Sequence, residues 1–379
     1  MKWSGPALVL LSVVGHDPAR PRLMFRMVSA GASHTCGVAA GGVAYCWGDN
    51  TAGELGTGDG RSHMKPAAVS GHLTFASLSA GDGFTCGITD SRVAYCWGRN
   101  PYGQLGSRTP QRSEAPLPVI AAGLEFLQVS AGRGYACGIG ADHAAYCWGS
   151  NEDGQLGTSD TARSTRPLPV AGRLSFDSVS AGWSHTCAVT REGTAYCWGS
   201  NAAGQLGNGT TVASRVPVAV VHVHDFLSVT VGARHTCGRT ARGLVYCWGD
   251  DFNHQLRLGS GVGTSVPLDT RIGHQFLAVT AGAFHTCALT RESTYRLTCW
   301  GFNQESQLGV SDPLTFMSRE VFGGIPFVQL DAGDAHTCGV TDDGSAYCWG
   351  RNDDGELGDG SLHPPVRPAR VAEPDSMSQ

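Results

Sequence analysis

The chain has 379 residues, only 16% of them charged, and a net charge of −5. Lys2 and Lys65 are the only lysines and no basic run exists, which disfavours nucleic-acid binding through phosphate contacts. No stretch approaches the ~20 consecutive apolar residues of a membrane-spanning helix.

Residues 1–24 stand apart from the pattern that fills the rest of the chain. Lys2 precedes an apolar run from Ala7 to Val14, which Gly15 follows. This N-terminal extension reads as a short signal peptide. The alternative is an apolar strand lying on the folded body.

A repeat begins at Phe25. Phe25-Arg-Met-Val-Ser-Ala-Gly31 matches Phe75-Ala-Ser-Leu-Ser-Ala-Gly81, and similar segments start at Phe126, Phe176, Phe226, Phe276 and Phe327. Each reads as a strand ending in a glycine turn. Two variable residues follow, then a cassette such as His185-Thr-Cys187-Ala-Val-Thr-Arg-Glu-Gly193-Thr-Ala-Tyr196-Cys197-Trp198-Gly199. Its two arms alternate in polarity and favour strand, with glycine at the third position of a three-residue hairpin loop. Arg92 and His143 replace that glycine, so those two hairpins are expected to turn another way. Pairing Thr190 with Thr194 sets Cys187 opposite Cys197, within the span of a disulfide. The first cysteines of successive cassettes are spaced 50, 51, 50, 50, 50 and 51 residues apart. So regular a period is read before any local motif. It implies seven sister units in one closed ring.

All fourteen cysteines fall into facing pairs. These are Cys36 with Cys46, Cys86 with Cys96, Cys137 with Cys147, Cys187 with Cys197, Cys237 with Cys247, Cys287 with Cys299, and Cys338 with Cys348. Disulfides in an oxidising compartment are the preferred reading, extracellular or in the cell envelope. Small buried thiols in a cytoplasmic chain are the alternative.

After Trp-Gly comes a loop such as Asn201-Ala-Ala-Gly204-Gln205-Leu206-Gly207, then a proline-bounded strand such as Pro66-Ala-Ala-Val69. Each repeat is thus assigned four strands, with the proline strand preceding the Phe strand. Pro368-Ala-Arg-Val371 is then an eighth copy, expected to complete the first blade and close the ring with strands from both ends. Residues 372–379 are expected to form a flexible tail.

These motifs resemble the regulator of chromosome condensation repeat family over residues 25–371. The resemblance implies an all-β, seven-bladed β-propeller with four antiparallel strands per blade. It says little about activity, because a propeller hosts many functions. Family members include a nucleotide exchange factor, ubiquitin-pathway proteins and bacterial inhibitors of β-lactamases. The exchange factor carries an added β-wedge, for which the even repeat spacing here leaves no room. The paired cysteines look more like the secreted bacterial members.

No catalytic motif stands out, and no cofactor or metal is expected. His34, His185, His235, His285 and His336 sit two residues before a cysteine, which raises zinc. Phe84 and Tyr135 hold that position in two repeats that keep their cysteines, so structural histidines bonded to backbone are expected. The tryptophans after the second cysteines, and the tyrosines such as Tyr45 and Tyr95 two residues before them, are read as packing residues.

Positions that vary between repeats are free for recognition. The Ala-Gly-x-x loop and the segment after Trp-Gly should share one face of the disc. The first carries Asp82, Arg133, Trp183, Arg234, Phe284 and Asp334; the second carries Asp49, Arg99, Asp250, Phe302 and Arg351. Aromatics and arginines are common interface anchors, and Trp183 is the first choice. In the fifth repeat Asp251, His254 and Arg257 replace Asn, Gly and Gly, and the sixth hairpin is two residues longer. The chain is therefore expected to be a monomeric, non-enzymatic scaffold that binds a protein partner through this face. The alternatives are an exchange factor or signalling adaptor, a carbohydrate-binding module, or an enzyme with its site in the central channel.

Overall fold

A computed structural model describes residues 22–375 except 109, 271–272, 274, 291–295, 311, 313–318, 322–323 and 366. The expected N-terminal extension up to residue 21, the tip of the sixth hairpin and residues 376–379 of the tail therefore lie outside the described residues. The described residues form seven four-stranded antiparallel sheets and no helix. The blades span 25–68, 75–118, 126–169, 176–219, 226–269, 276–320 and 327–370. Each packs on the next, and the inner strand of the first packs on the seventh, which closes the ring.

Blade four shows how sequence makes a blade. Its strands are Phe176–Ala181, His185–Thr190, Ala195–Gly199 and Ser214–Ala219, running from the axis outward. Cys187 pairs with Cys197 across the hairpin, and the two form a disulfide. The same register and bond recur in all seven blades, including Cys287–Cys299 of the longer hairpin. Gly193 closes the turn at φ 81°. Arg92 and His143 do not turn another way: they adopt the same left-handed conformation, at φ 62° and 63°. The facing cysteines fix the register, and an isolated non-glycine residue tolerates this region at modest cost.

The proline-bounded strand follows its own hairpin rather than preceding the Phe strand of the next blade. Tyr196 faces Ala219 and Cys197 faces Val218. The free edge of the Phe strand points at the axis, where seven strands converge, so only the outer edge can accept a fourth. Ala369–Arg370 accordingly supplies a missing fourth strand, as expected, but pairs with Tyr347 and Cys348. It completes the seventh blade, not the first. Residues 372–375 continue over the junction between the two ends. Ala372 N donates to Gly358 O at 2.9 Å, Glu373 accepts from Leu23 N at 2.9 Å, and Asp375 pairs with Lys65 at 2.6 Å.

The apolar core lies between blades, not within them. The indole of Trp198 packs against Cys137, Cys147 and Leu156 of the blade before it. Trp47 does the same across the closing junction, against Cys338, Cys348 and Leu357. All seven of these indoles are completely buried. Tyr45 and its equivalents are only half-buried and meet the Phe ring edge-on, 6.4 Å away for Phe25–Tyr45.

Three polar rings tie the same interfaces. First, the Gln-Leu-Gly turn offers one carbonyl to the next blade: Gln155 O accepts from Trp198 Nε1 and from Thr186 Oγ1, both at 2.9 Å. Second, the histidines bond to a threonine of the next blade and not to backbone. Examples are His185 Nε2 to Thr236 at 2.8 Å and His336 Nε2 to Thr35 at 2.8 Å. The threonine hydroxyl already donates to a carbonyl, so Nε2–H is the donor. Burial pushes these imidazoles down to about 3, so they stay neutral. Third, the hydroxyl in the Phe strand accepts from the next blade's Ala or Val N–H, as Ser29 does from Ala80 at 3.0 Å. At the closing junction Asp331 takes this role, accepting from Ala30 N at 3.0 Å and Ser29 Oγ at 2.9 Å. Inside these rings, a Cβ on Gly31 would lie 2.7 Å from Gly81 O of the next blade, and the equivalent glycines are as tight or tighter. Only glycine lets seven backbones approach this closely.

Two interfaces lack the histidine: between blades three and four Tyr135 Oη accepts from Thr186 at 3.0 Å instead, and between blades two and three both sides changed together. Phe84 of blade two stands where histidine would, and Ala136 of blade three stands where threonine would. We expect Phe84→His alone to destabilise by about 1–3 kcal/mol, because its buried ring nitrogen finds no partner. Adding Ala136→Thr should recover part of that loss in denaturant unfolding. No recovery in the double variant would show that the pair is uncoupled.

Asp331 makes the closing junction pH-sensitive. Burial pushes its carboxyl up to about 6, against the opposing pull of its hydrogen bonds. A folded value above the ordinary one, about 3.9, means its contribution is complete below the unfolded value. That contribution is lost as pH rises through the folded value. Relative to Asp331→Ser, which restores the residue type of the other junctions, the parent Tm should fall between about pH 4 and pH 7. A constant difference in thermal melts would rule this out.

Candidate binding face

The Ala-Gly-x-x loops and the segments after Trp-Gly do share one face. In blade after blade the residue after Trp-Gly bonds back to the loop, as Arg99 N does to Gly83 O at 2.8 Å and Ser200 N to Ser184 O at 2.9 Å. The first variable loop position projects over the channel mouth, where Asp82, Arg133, Trp183 and Asp334 are found among the lining residues.

Trp183 is the centre of this face. Its Nε1 donates to Asp334 Oδ1 at 3.0 Å, reaching from blade four to blade seven across the axis. The Arg133 guanidinium sits 4.5 Å over the ring and also pairs with Asp82 at 3.2 Å. Phe284 meets the indole edge-on at 5.4 Å, and Phe302 stands 6.4 Å beyond Phe284. Seven of the eleven residues singled out above, all but Asp49, Arg99, Arg234 and Asp250, thus join one network when Arg351 is counted through its field on Asp334. Burial raises the Asp334 carboxyl above its usual range, and the indole hydrogen bond opposes this. Arg351 is turned inward, bonding Glu356 at 2.8 Å and Asp354 at 3.2 Å. Arg99 and Arg234 are exposed and border a cleft of about 660 Å³ beside Trp183.

The loop after Trp-Gly is built by its Asn and Gln. Asn201 Oδ1 accepts from Leu206 N at 2.9 Å, and Gln205 Oε1 accepts from Ala203 N at 2.9 Å. In blade five Asp251 keeps the first bond, at 2.9 Å, while its Oδ2 has no partner. His254 and Arg257 hold the left-handed conformations of the glycines they replace, at φ 59° and 62°. Between them and Asp251 lies Phe252, 78% exposed. Sequence reasoning passed over it. Its signal is the same repeat comparison: that loop position otherwise holds Thr51, Pro101, Glu152, Ala202, Gln304 and Asp353. Tyr102 and the buried glutamines of the cleft were also passed over, the latter because the motif makes them look purely structural.

Trp183 belongs to none of the inter-blade cores. Trp183→Ala should therefore cost about 1 kcal/mol or less of unfolding free energy. A loss several times larger would make the indole a structural plug.

The chain was compared with known proteins. The model for the regulator of chromosome condensation (RCC1) repeat matches residues 27–54, 75–104, 126–155, 176–205, 226–255, 276–307 and 327–356. A second model of the same repeat matches 41–88, 93–139, 142–189, 192–238, 242–289 and 343–378. The ultraviolet-B receptor UVR8 of Arabidopsis thaliana is 31% identical over 156 residues, covering 40% of this chain and 35% of the receptor. The match thus spans about a third of that relative's length. Human WBSCR16 superposes with a TM-score of 0.79 at 22% identity, over 88% of this chain and 94% of that one. Yeast RCC1 (Prp20), solved bound to Kap60, gives 0.78 at 17% identity, over 93% and 85%. With seven matched repeats on a seven-bladed ring, the chain belongs to the regulator of chromosome condensation (RCC1) repeat family.

Proposed function

We propose that this propeller acts without catalysis, by binding a protein partner on the face centred on Trp183. The observation that carries this is the run of half-buried aromatic rings, Trp183, Phe284 and Phe302, with exposed Phe252 and Arg234 on the same face. Rings already held at their edges lose little freedom on binding, and Trp and Arg are favoured anchors. The disc supports them rigidly, because the loops are short and their backbone groups are bonded inward. A related propeller, yeast RCC1, has been solved with Kap60 bound.

The reading places the protein in an oxidising compartment, outside the cell or in its envelope. Seven disulfides, with no cysteine left free, support this. Freshly isolated protein, denatured without reductant, should show no titratable thiol. Fourteen would place it in a reducing compartment.

The partner is sought by co-purification from the native host. A protein retained by the parent chain should fall at least about tenfold with Trp183→Ala and with Phe252→Ala, a usual loss for an interface anchor. Undiminished retention by both variants would exclude this face.

A further inference from the structure

Beside the aromatic run, with Trp183 on one side, lies a polar cleft with no assigned role, walled by blades two to five. Its floor holds Gln104, Gln155 and Gln205, which are 1%, 3% and 2% exposed. Each Oε1 is committed to a loop N–H, from Tyr102 at 3.1 Å, Asp153 at 2.9 Å and Ala203 at 2.9 Å. That bond orients the carboxamide and does not use its Nε2 donor, and all three residues line the cleft. In blades five and seven the residue after Trp-Gly satisfies this position from within. Gln255 donates to Asp250 at 3.0 Å, and Glu356 accepts from Arg351 at 2.8 Å. In blades two to four the matching neighbours are Arg99, Ser150 and Ser200, which supply no such partner.

The lining is balanced in charge: Arg99, Arg133 and Arg234 against Asp82, Glu152 and Asp153. Arg133 and Asp82 already pair with each other. An anion would face Glu152 and Asp153, and a cation would face Arg99 and Arg234. A neutral ligand whose groups both donate and accept meets neither objection. Its hydroxyls can accept from the carboxamides and guanidinium groups while donating to the carboxylates. Tyr102, 40% exposed, offers a ring at the cleft wall for an apolar ring face. The cleft volume of about 660 Å³ falls in the usual range for small-ligand sites.

We propose that this cleft binds a short neutral saccharide. Gln104, Gln155 and Gln205 donate to its hydroxyls, Glu152 and Asp153 accept from them, and Tyr102 packs against one sugar ring. Trp183 borders the site, but none of these contacts uses the aromatic run.

The test is an array of neutral oligosaccharides probed with the intact chain, followed by calorimetric titration of the strongest binder. Gln155→Glu keeps the acceptor that holds the loop and removes the donor; blades one and seven carry Glu54 and Glu356 there natively, so the fold accommodates it. Gln155→Glu and Tyr102→Ala should each weaken sugar binding roughly tenfold, and binding should persist in high salt. Neither variant alters the aromatic run, so partner capture should survive both, which keeps failure here distinct from failure of the protein-binding reading. Retention of no neutral glycan would overturn the proposal. So would tighter binding of hexaglutamate or of a six-residue oligothymidylate, or sugar binding indifferent to both substitutions.

Discussion

Each blade buries its tryptophan under its neighbour, and the rest of the structure depends on that displacement. The indole of Trp198 is capped by the carbonyl of Gln155 and packed on the disulfide of Cys137 and Cys147, all from the preceding blade. A lone blade would expose an indole on one side and a half-made cavity on the other. Apolar burial is the dominant favourable term in folding, so the blades are obliged to associate. Seven of them satisfy one another only as a closed circle.

The same displacement explains why the conserved-looking polar residues have so little left to do on the surface. Asn and the Gln Oε1 of the loop are spent on backbone groups, and His and Thr on each other across the interface. Burial keeps the imidazoles neutral, so they neither titrate near neutrality nor hold charge. Most of what remains free lies at positions the scaffold does not use, and these cluster on the loop face. Trp183 and Asp334 show the freedom this allows: two residues from distant repeats meet across the axis.

The architecture was legible in the sequence because it repeats. The Cys-to-Cys spacing gave the hairpin register, and seven copies gave the ring. The order of strands within a blade was not legible. A proline strand between two hairpins can join either, and the choice is made by which edge has space, a property of the assembled disc. Arg92 and His143 misled for a related reason, since glycine preference is a local signal and the facing cysteines overrule it. On the loop face, variation between repeats located Trp183, Arg133 and Phe284 but not their mutual contacts. The cleft was hidden because Gln104, Gln155 and Gln205 differ from Gln255 only in what their neighbours supply.

The closing junction is built from the same kinds of contact as the others, with the Asp331 carboxylate in place of a hydroxyl. Trp47 is capped by Glu356, His336 meets Thr35, and Asp331 receives Ala30, each as in the interior of the chain. Closure therefore does not depend on which blade comes first in the polypeptide. Opened in the linker near residue 222, with its present ends spliced, a circularly permuted chain would assemble the same wheel from a different first spoke.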